Sequence, residues 1–207
     1  MRRETVLKIV GLLRKNLGKG FTILEISKQL KIGYRPAYNH IAELEKINAI
    51  TTTKVGSAKQ CSINFENAQS LHFLQEVDLA RTEELYNSNQ KLKAILEEII
   101  PKITNKITSS LHSIILFGSH AKGTAIKSSD IDLLFIVSNI KDKSVRNTLE
   151  RECASYQYSH NVKISPLITN MEEFKKMLKS KELNVGKEAR EFGTSLYGHE
   201  VFWRALV

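Results

Sequence analysis

Two cysteines, three prolines and one tryptophan are all that this 207-residue sequence holds of those residue types, and each shortage excludes something. Cys61 and Cys153 form no C-x-x-C, so no disulfide framework or cysteine-built zinc site follows; free thiols in a reducing compartment are the simplest reading. The six histidines are scattered, with no H-E-x-x-H, which leaves no zinc pattern. No apolar run approaches membrane-spanning length. The opening M-R-R-E-T-V-L-K-I-V-G-L-L is basic, but Glu4 and Lys8 interrupt it too early for a secretory signal. A cytoplasmic location with no membrane partner is expected by elimination.

What is present is charge, unevenly spread. The chain is 42% hydrophobic and 26% charged, with a net charge of +9, which suits a globular chain of one or two domains with real cores. Residues 1–65 hold 12 Lys+Arg against 4 Asp+Glu, whereas the remainder holds 19 against 18. The first third therefore carries the polyanion signal.

Within that third, Val6, Ile9, Val10, Leu13 and Leu17 recur at helical spacing, and Gly18 with Gly20 is expected to stop the helix. Thr22 followed by Glu25 forms a capping box for a second helix with Ile23, Ile26 and Leu30 as its stripe. After Lys31-Ile32-Gly33, Pro36 opens a third helix through Ile41, Leu44 and Ile47. Residues 49–54 and 60–65 then alternate as strands around a Gly56-Ser57 tip. The whole resembles a winged helix-turn-helix domain. In that resemblance the third helix offers Arg35, Tyr38, Asn39 and His40 to base edges of double-stranded DNA, and Lys54 and Lys59 on the wing meet phosphate. The competing reading is a protein-docking or dimer module whose Lys and Arg solvate its faces.

The most specific stretch runs from Phe117 to Leu133, F-G-S-H-A-K-G-T-A-I-K-S-S-D-I-D-L. Apolar runs at 113–117 and 131–137 predict two neighbouring strands. Residues two apart on a strand face one way, so Asp130 and Asp132 would project together toward the Gly118 turn. Two such carboxylates suit Mg²⁺, which is held by one or two carboxylates plus substrate phosphates. Gly118 lets backbone approach a phosphate, and Ser119 adds a hydroxyl and an N–H. A Walker-type loop fails, because Thr124 and Ala125 stand where it needs lysine and then serine or threonine.

G-S, ten residues, then D-x-D-L, with Lys122-Gly123 and Ser129 in place, resembles the minimal nucleotidyltransferases of the polymerase-beta superfamily. The resemblance implies transfer of a nucleoside monophosphate from an NTP, ATP by preference, to an acceptor hydroxyl, with Mg²⁺ or Mn²⁺ on Asp130 and Asp132. Gly118, Ser119, Lys122 and Ser129 would hold the nucleotide. Lys122 replaces a frequent arginine, keeping the charge and losing the bidentate fork. That family also takes a third acid from a later strand. The candidate strand, 162–168, has Ser165 there, which at neutral pH neither takes a proton nor binds metal well; Glu172 and Glu173 follow as substitutes.

Between the two regions, Leu71, Leu74, Val77, Leu79, Leu85, Leu92, Ile95, Leu96, Ile99 and Ile100 stripe two helices, broken near Asn87-Ser88-Asn89 and ended at Pro101. Their mixed charges read as a solvated face, with a homodimer seam as the alternative. Tyr197, Phe202 and Trp203 near the end are expected to pack rather than stack on bases. The expected organisation is α/β (α+β): winged helix-turn-helix 1–65, helical linker 66–108, and a nucleotidyltransferase-like mixed sheet with flanking helices over 109–207. Three functions fit: a transferase acting on a protein or RNA hydroxyl, a DNA-binding regulator that binds nucleotide without turnover, and an antitoxin-like enzyme modifying a partner protein.

Overall fold

The computed structural model describes residues 3–17 and 19–206. Gly18, expected to help stop the first helix, lies outside them. The chain divides into two compact units between Val77 and Asp78.

In the first unit, α1 (Arg3–Leu13) buries Val6, Ile9, Val10 and Leu13. Strand β1 (Phe21–Thr22) leads into α2 (Ile23–Leu30), whose capping box forms as the sequence requires. Thr22 Oγ1 accepts from the Glu25 N–H at 3.2 Å, and Glu25 Oε2 accepts from the Thr22 N–H at 2.7 Å. Lys31 ends α2 in the left-handed region (φ 53°). Helix α3 (Tyr34–Lys46) buries Ala37, Ile41 and Leu44, with Pro36 in its first turn, where a missing N–H costs nothing. Strands β2 (Ile50–Val55) and β3 (Ala58–Ile63) pair antiparallel around Gly56-Ser57, and the sheet order is β1-β3-β2. Gly56 has φ 60°, which a two-residue hairpin loop demands. Helix α4 (Ala68–Ser88) follows and contains the division between units.

In the second unit, Asn89 caps α5 (Gln90–Ile107), its side chain accepting from the Leu92 N–H at 3.0 Å. The helix does not end at Pro101. It runs on because Pro101 lies exposed, while Ile99, Ile103 and Ile107 continue one buried stripe. Burial of that stripe offsets the roughly 3 kcal/mol an interior proline costs. The sheet takes the order β6-β5-β4-β7, from β4 (Leu111–Phe117), β5 (Ile131–Val137), β6 (Ile164–Asn170) and β7 (Thr194–Tyr197). β5 and β6 run parallel and the other pairs antiparallel, a mixed sheet with Pro166 tolerated on its edge strand.

The sheet splits its residues by parity. Ile131, Leu133, Phe135 and Val137 enter a core with α5 and with Val145, Leu149, Cys153 and Tyr156 of α7 (Lys143–His160). Asp132, alternating with these, belongs to the other face. The C-terminal part supplies α6 (Gly118–Lys122) after β4, α8 (Met171–Lys179) and α9 (Val185–Phe192) before β7, and α10 (His199–Ala205). Phe202 and Trp203 are fully buried, ring centroids 5.0 Å apart, and Trp203 Nε1 donates to buried Asp78 at 2.8 Å. These two aromatics pack, as the sequence reading expects. Both cysteines are free and buried, which pushes the Cys61 and Cys153 thiols up to about 11 and about 12. Among the described residues, no helix is long and apolar enough to cross a membrane.

Candidate functional site

The site forms where β4 turns into α6 beside the start of β5. Phe117 and Asp132 are register partners, so the chain reverses direction at Gly118 directly alongside the Asp132 carboxylate. Gly118 has φ 70°, and a Cβ there would collide with Asp132 Oδ2. Glycine is thus required twice, once by the backbone and once by the neighbour. Gly123 (φ 72°) closes α6, its N–H donating to His120 O at 3.2 Å, and the Thr124 N–H donates to Ser119 O at 3.0 Å. This short helix carries both Ser119 and Lys122.

Asp130 lies just before β5. Its Oδ2 accepts from Lys163 Nζ and, at 3.1 Å, from Ser165 Oγ. The Lys163 hydrogen bond is the main reason its carboxyl sits below the ordinary aspartate value. Asp132 moves the other way: partial burial raises it first, followed by the charges of Asp130 and Glu188. One carboxylate is therefore held firmly ionised and its neighbour is held less so, a contrast set by environment.

Ser165 is the register partner of Asp132 on β6, so the strand that would supply a third acid supplies a hydroxyl. Glu172 pairs with Lys176 at 2.6 Å on the exposed face of α8. The backbone N–H of Glu173 donates to the Asn170 cap at 2.8 Å. Two groups that sequence reasoning missed contact candidate site residues. Lys163 carried a legible signal, since it lies two residues from Ser165 and so shares its strand face. Glu188, from α9, carried none: it reaches Lys122 Nζ at 2.6 Å only through tertiary packing. Lys122 also lies over the Phe192 ring, 5.4 Å from its centroid.

Ser129 is placed in the loop before Asp130, where its hydroxyl accepts from the Ile126 N–H at 2.9 Å. His120 is buried beside it, and burial lowers its pKa, so the ring is neutral near pH 7. His120 and Ser129 border a cavity of about 340 Å³ over Leu92, Ile95 and Ile131, with Lys91 and Lys127 among its lining. Arg81 of α4 fixes the surroundings by donating to Ala121 O at 3.3 Å, Phe192 O at 2.8 Å and Gly193 O at 3.1 Å. It ties the C-terminal ends of α6 and α9 to one side chain.

Among the described residues no group of three or more His, Cys, Asp or Glu side chains could hold a metal ion. Two neighbouring carboxylates still fit the way Mg²⁺ is bound, since that ion keeps waters and phosphate oxygens and rarely needs an all-protein cage.

The other candidates lie in the first unit. Arg35, Tyr38 and Asn39 are exposed on α3; His40 is half-buried, its Nδ1 3.6 Å from Glu43. Lys54 and Lys59 face each other across β2 and β3, and Lys59 Nζ lies 3.8 Å from Glu45.

Residues 97–188 match the family model described as "Polymerase beta, Nucleotidyltransferase". Two curated proteins of Methanocaldococcus jannaschii are similar. "Putative protein adenylyltransferase MJ1305" is 39% identical over 79 residues, 37% of this chain and 54% of that protein. "Putative protein adenylyltransferase MJ0141" is 28% identical over 86 residues, 42% of this chain and 82% of that protein. The chain thus spans about half the length of the first. A solved structure, "Crystal structure of the toxin-antitoxin with AMP-PNP", is 19% identical, covering 53% of this chain and 82% of that one with a TM-score of 0.37. A toxin-antitoxin MntA-HpeT mutant structure is 14% identical over 52% of this chain and 81% of that one, TM-score 0.34.

Proposed function

We propose that the second unit transfers a nucleoside monophosphate, AMP by preference, from an NTP to a hydroxyl of a protein acceptor. The observation that carries this is the Asp132 carboxylate set against the Gly118 turn, with Asp130 beside it and Ser119 and Lys122 on the same short helix. The match of residues 97–188 and the names of the two curated relatives support the chemistry and the protein acceptor.

Asp130 and Asp132 are the groups that would hold Mg²⁺ or Mn²⁺, which supplies charge neutralisation at the phosphates when bound. Ser119 and Lys122 bind and orient the polyphosphate. The acceptor oxygen attacks the α-phosphorus, the bond from that phosphorus to the bridging oxygen breaks, and pyrophosphate leaves with the electron pair. With Ser165 where an acid would take the acceptor's proton, the chain offers no base from β6. A tyrosine hydroxyl, ordinarily near pKa 10, asks least of that missing base, so tyrosine is the expected acceptor over serine or threonine.

The test incubates wild type and the Asp130→Asn, Asp132→Asn double variant with each α-labelled NTP, Mg²⁺ or Mn²⁺, and separate pools of protein, RNA and DNA. Label entering protein with wild type alone supports the reading, and acid-stable label on tyrosine supports the acceptor. Label entering RNA would replace the acceptor; equal label with the double variant would remove the site assignment.

A second reading has its own observation. Lys54 and Lys59 stand opposite each other in the β2–β3 register, and with Glu45 3.8 Å from Lys59 Nζ the cluster still keeps a net positive charge. Together with exposed Arg35, Tyr38 and Asn39 on α3, this supports the first unit as a winged helix-turn-helix that binds duplex DNA. In that reading the second unit binds nucleotide without turnover and reports it to the DNA-binding unit. A gel shift whose midpoint moves with ATP in wild type but not in Asp130→Asn would favour it; indifference to duplex DNA would sink it.

A further inference from the structure

The cation proposed to bind substrate phosphates already has an anion. Lys122 Nζ is 2.6 Å from Glu188 Oε1, and the two side chains are 37% and 30% exposed, so salt screens them less than a fully exposed pair. Three features hold this contact in place. The Lys122 ammonium rests over the Phe192 ring one turn along α9. Asn184 caps α9, its side chain accepting from the Lys187 N–H at 3.1 Å. Arg81 donates to the carbonyls of Ala121 and Phe192, fastening α6 and α9 together. The ion pair is therefore built into the packing of two helices and does not depend on two free side chains meeting.

A lysine ammonium has three donors and no acceptor, so phosphate oxygens approaching Lys122 have two outcomes. They displace Glu188 and break the pair, or they share the ammonium and sit beside the Glu188 carboxylate. Both outcomes cost binding free energy, the first by breaking an ion pair and the second by like-charge repulsion.

Resting on the nucleotide site proposed above, we infer that Glu188 is an internal competitor of the substrate's phosphates for Lys122: the pair opens when a polyphosphate binds and re-forms as pyrophosphate leaves. Glu188 thereby weakens the grip on both substrate and leaving group, which trades affinity for release. This role is distinct from that of the acid missing at Ser165. Glu188 arrives from α9 and pairs with Lys122 of α6, its charge also raising the Asp132 carboxyl, whereas Ser165 is the register partner of Asp132 on β6. Its removal has the opposite sign from removal of a group that helps the reaction: binding should tighten.

The experiment measures affinity for ATP, pyrophosphate and adenosine by calorimetry on the full chain, as wild type, Glu188→Gln, Glu188→Ala, Lys122→Met and the Lys122→Met, Glu188→Gln double variant. Both Glu188 variants are expected to bind ATP and pyrophosphate roughly 1.5- to fivefold tighter, the range for a solvent-accessible ion pair, and the gain should shrink as salt is raised. Adenosine, which has no phosphate, should not change. Lys122→Met should weaken ATP, and adding Glu188→Gln to it should recover less than the single Glu188→Gln change gains. ATP binding that both Glu188 variants leave unchanged or weaken overturns the inference alone. Absence of ATP and pyrophosphate binding in wild type and in every variant overturns the nucleotide-site reading, and this inference with it.

Discussion

Ser165 stands directly opposite Asp132 in the β5–β6 register, and its hydroxyl donates to Asp130 Oδ2 at 3.1 Å. The hydroxyl of Ser165 thus contacts Asp130, while its backbone position is the one beside Asp132. Ser165→Asp adds a carboxylate on a strand already in place. Positioned acid–base groups contribute roughly 10²- to 10⁴-fold, so transfer to acceptor should rise at least about tenfold in this variant. Unchanged transfer, with the variant still folded, would mean that the missing acid does not limit the reaction.

Lys163 governs the ionisation of Asp130. Its hydrogen bond is the largest cause of the lowered Asp130 carboxyl. In Lys163→Met that carboxyl should titrate higher, as a carbon-13 NMR titration would read. The sign for stability follows from the depressed folded value: the contribution is present above the unfolded aspartate pKa, near 3.9, and is lost as pH falls through the folded one. Wild type should therefore lose slightly more stability than Lys163→Met on acidification below about pH 4. Superimposable acid-unfolding curves and an unmoved titration would contradict this.

Gly118 and Gly123 separate backbone strain from collision. Both have positive φ, but a Cβ on Gly118 meets Asp132 while one on Gly123 meets nothing within 4 Å. Gly123→Ala should cost only the left-handed backbone penalty, about 1–2 kcal/mol. Gly118→Ala should cost more, because Asp132 must also move, and nucleotide binding should fall with it. Denaturant unfolding of both variants checks the ranking, and equal destabilisation would show that the collision is relieved cheaply.

Local signals carried much of this architecture because each was settled by neighbours in the chain. The Thr22–Glu25 capping box is decided within one helical turn, and the alternation around Asp132 follows from strand period. Pro101 misled because its helix continues on the strength of Ile103 and Ile107, whose burial depends on β-strands that the helix meets only in the folded chain. The same holds for Glu188. Nothing near it in sequence says that α9 will bring it onto Lys122, since that contact joins distant segments and rests on packing. Lys163 lies between these cases: strand parity put it beside Ser165, but only the parallel β5–β6 pairing put it on Asp130.

Lys54 and Lys59 test the first unit. If both meet phosphate, the Lys54→Gln, Lys59→Gln pair should weaken duplex DNA binding at low salt and reduce the slope of log affinity against log salt by about 2, near 0.9 for each phosphate that is no longer neutralised. A change of slope near zero would mean that the opposed lysines only solvate the hairpin, and that the unit docks something other than a polyanion.

Arg81 offers the last test, because one side chain serves two site helices. Its guanidinium donates to Ala121 O at the end of α6 and to Phe192 O and Gly193 O at the end of α9. Removing it takes three donated hydrogen bonds from part-buried or exposed carbonyls at two helix ends, each worth about 0.5–1.5 kcal/mol net. Arg81→Lys keeps the charge but cannot span three acceptors with a planar fork. Arg81→Ala should therefore destabilise the chain by about 2–4 kcal/mol, and Arg81→Lys should recover only part of that. The site-level consequence is separate. With α6 and α9 no longer tied, Lys122 and Glu188 should separate more readily, so Arg81→Lys should blunt the tightening of ATP binding that Glu188→Gln produces. A lysine variant with full stability and the full Glu188→Gln effect would show that the two helices keep their spacing without the arginine.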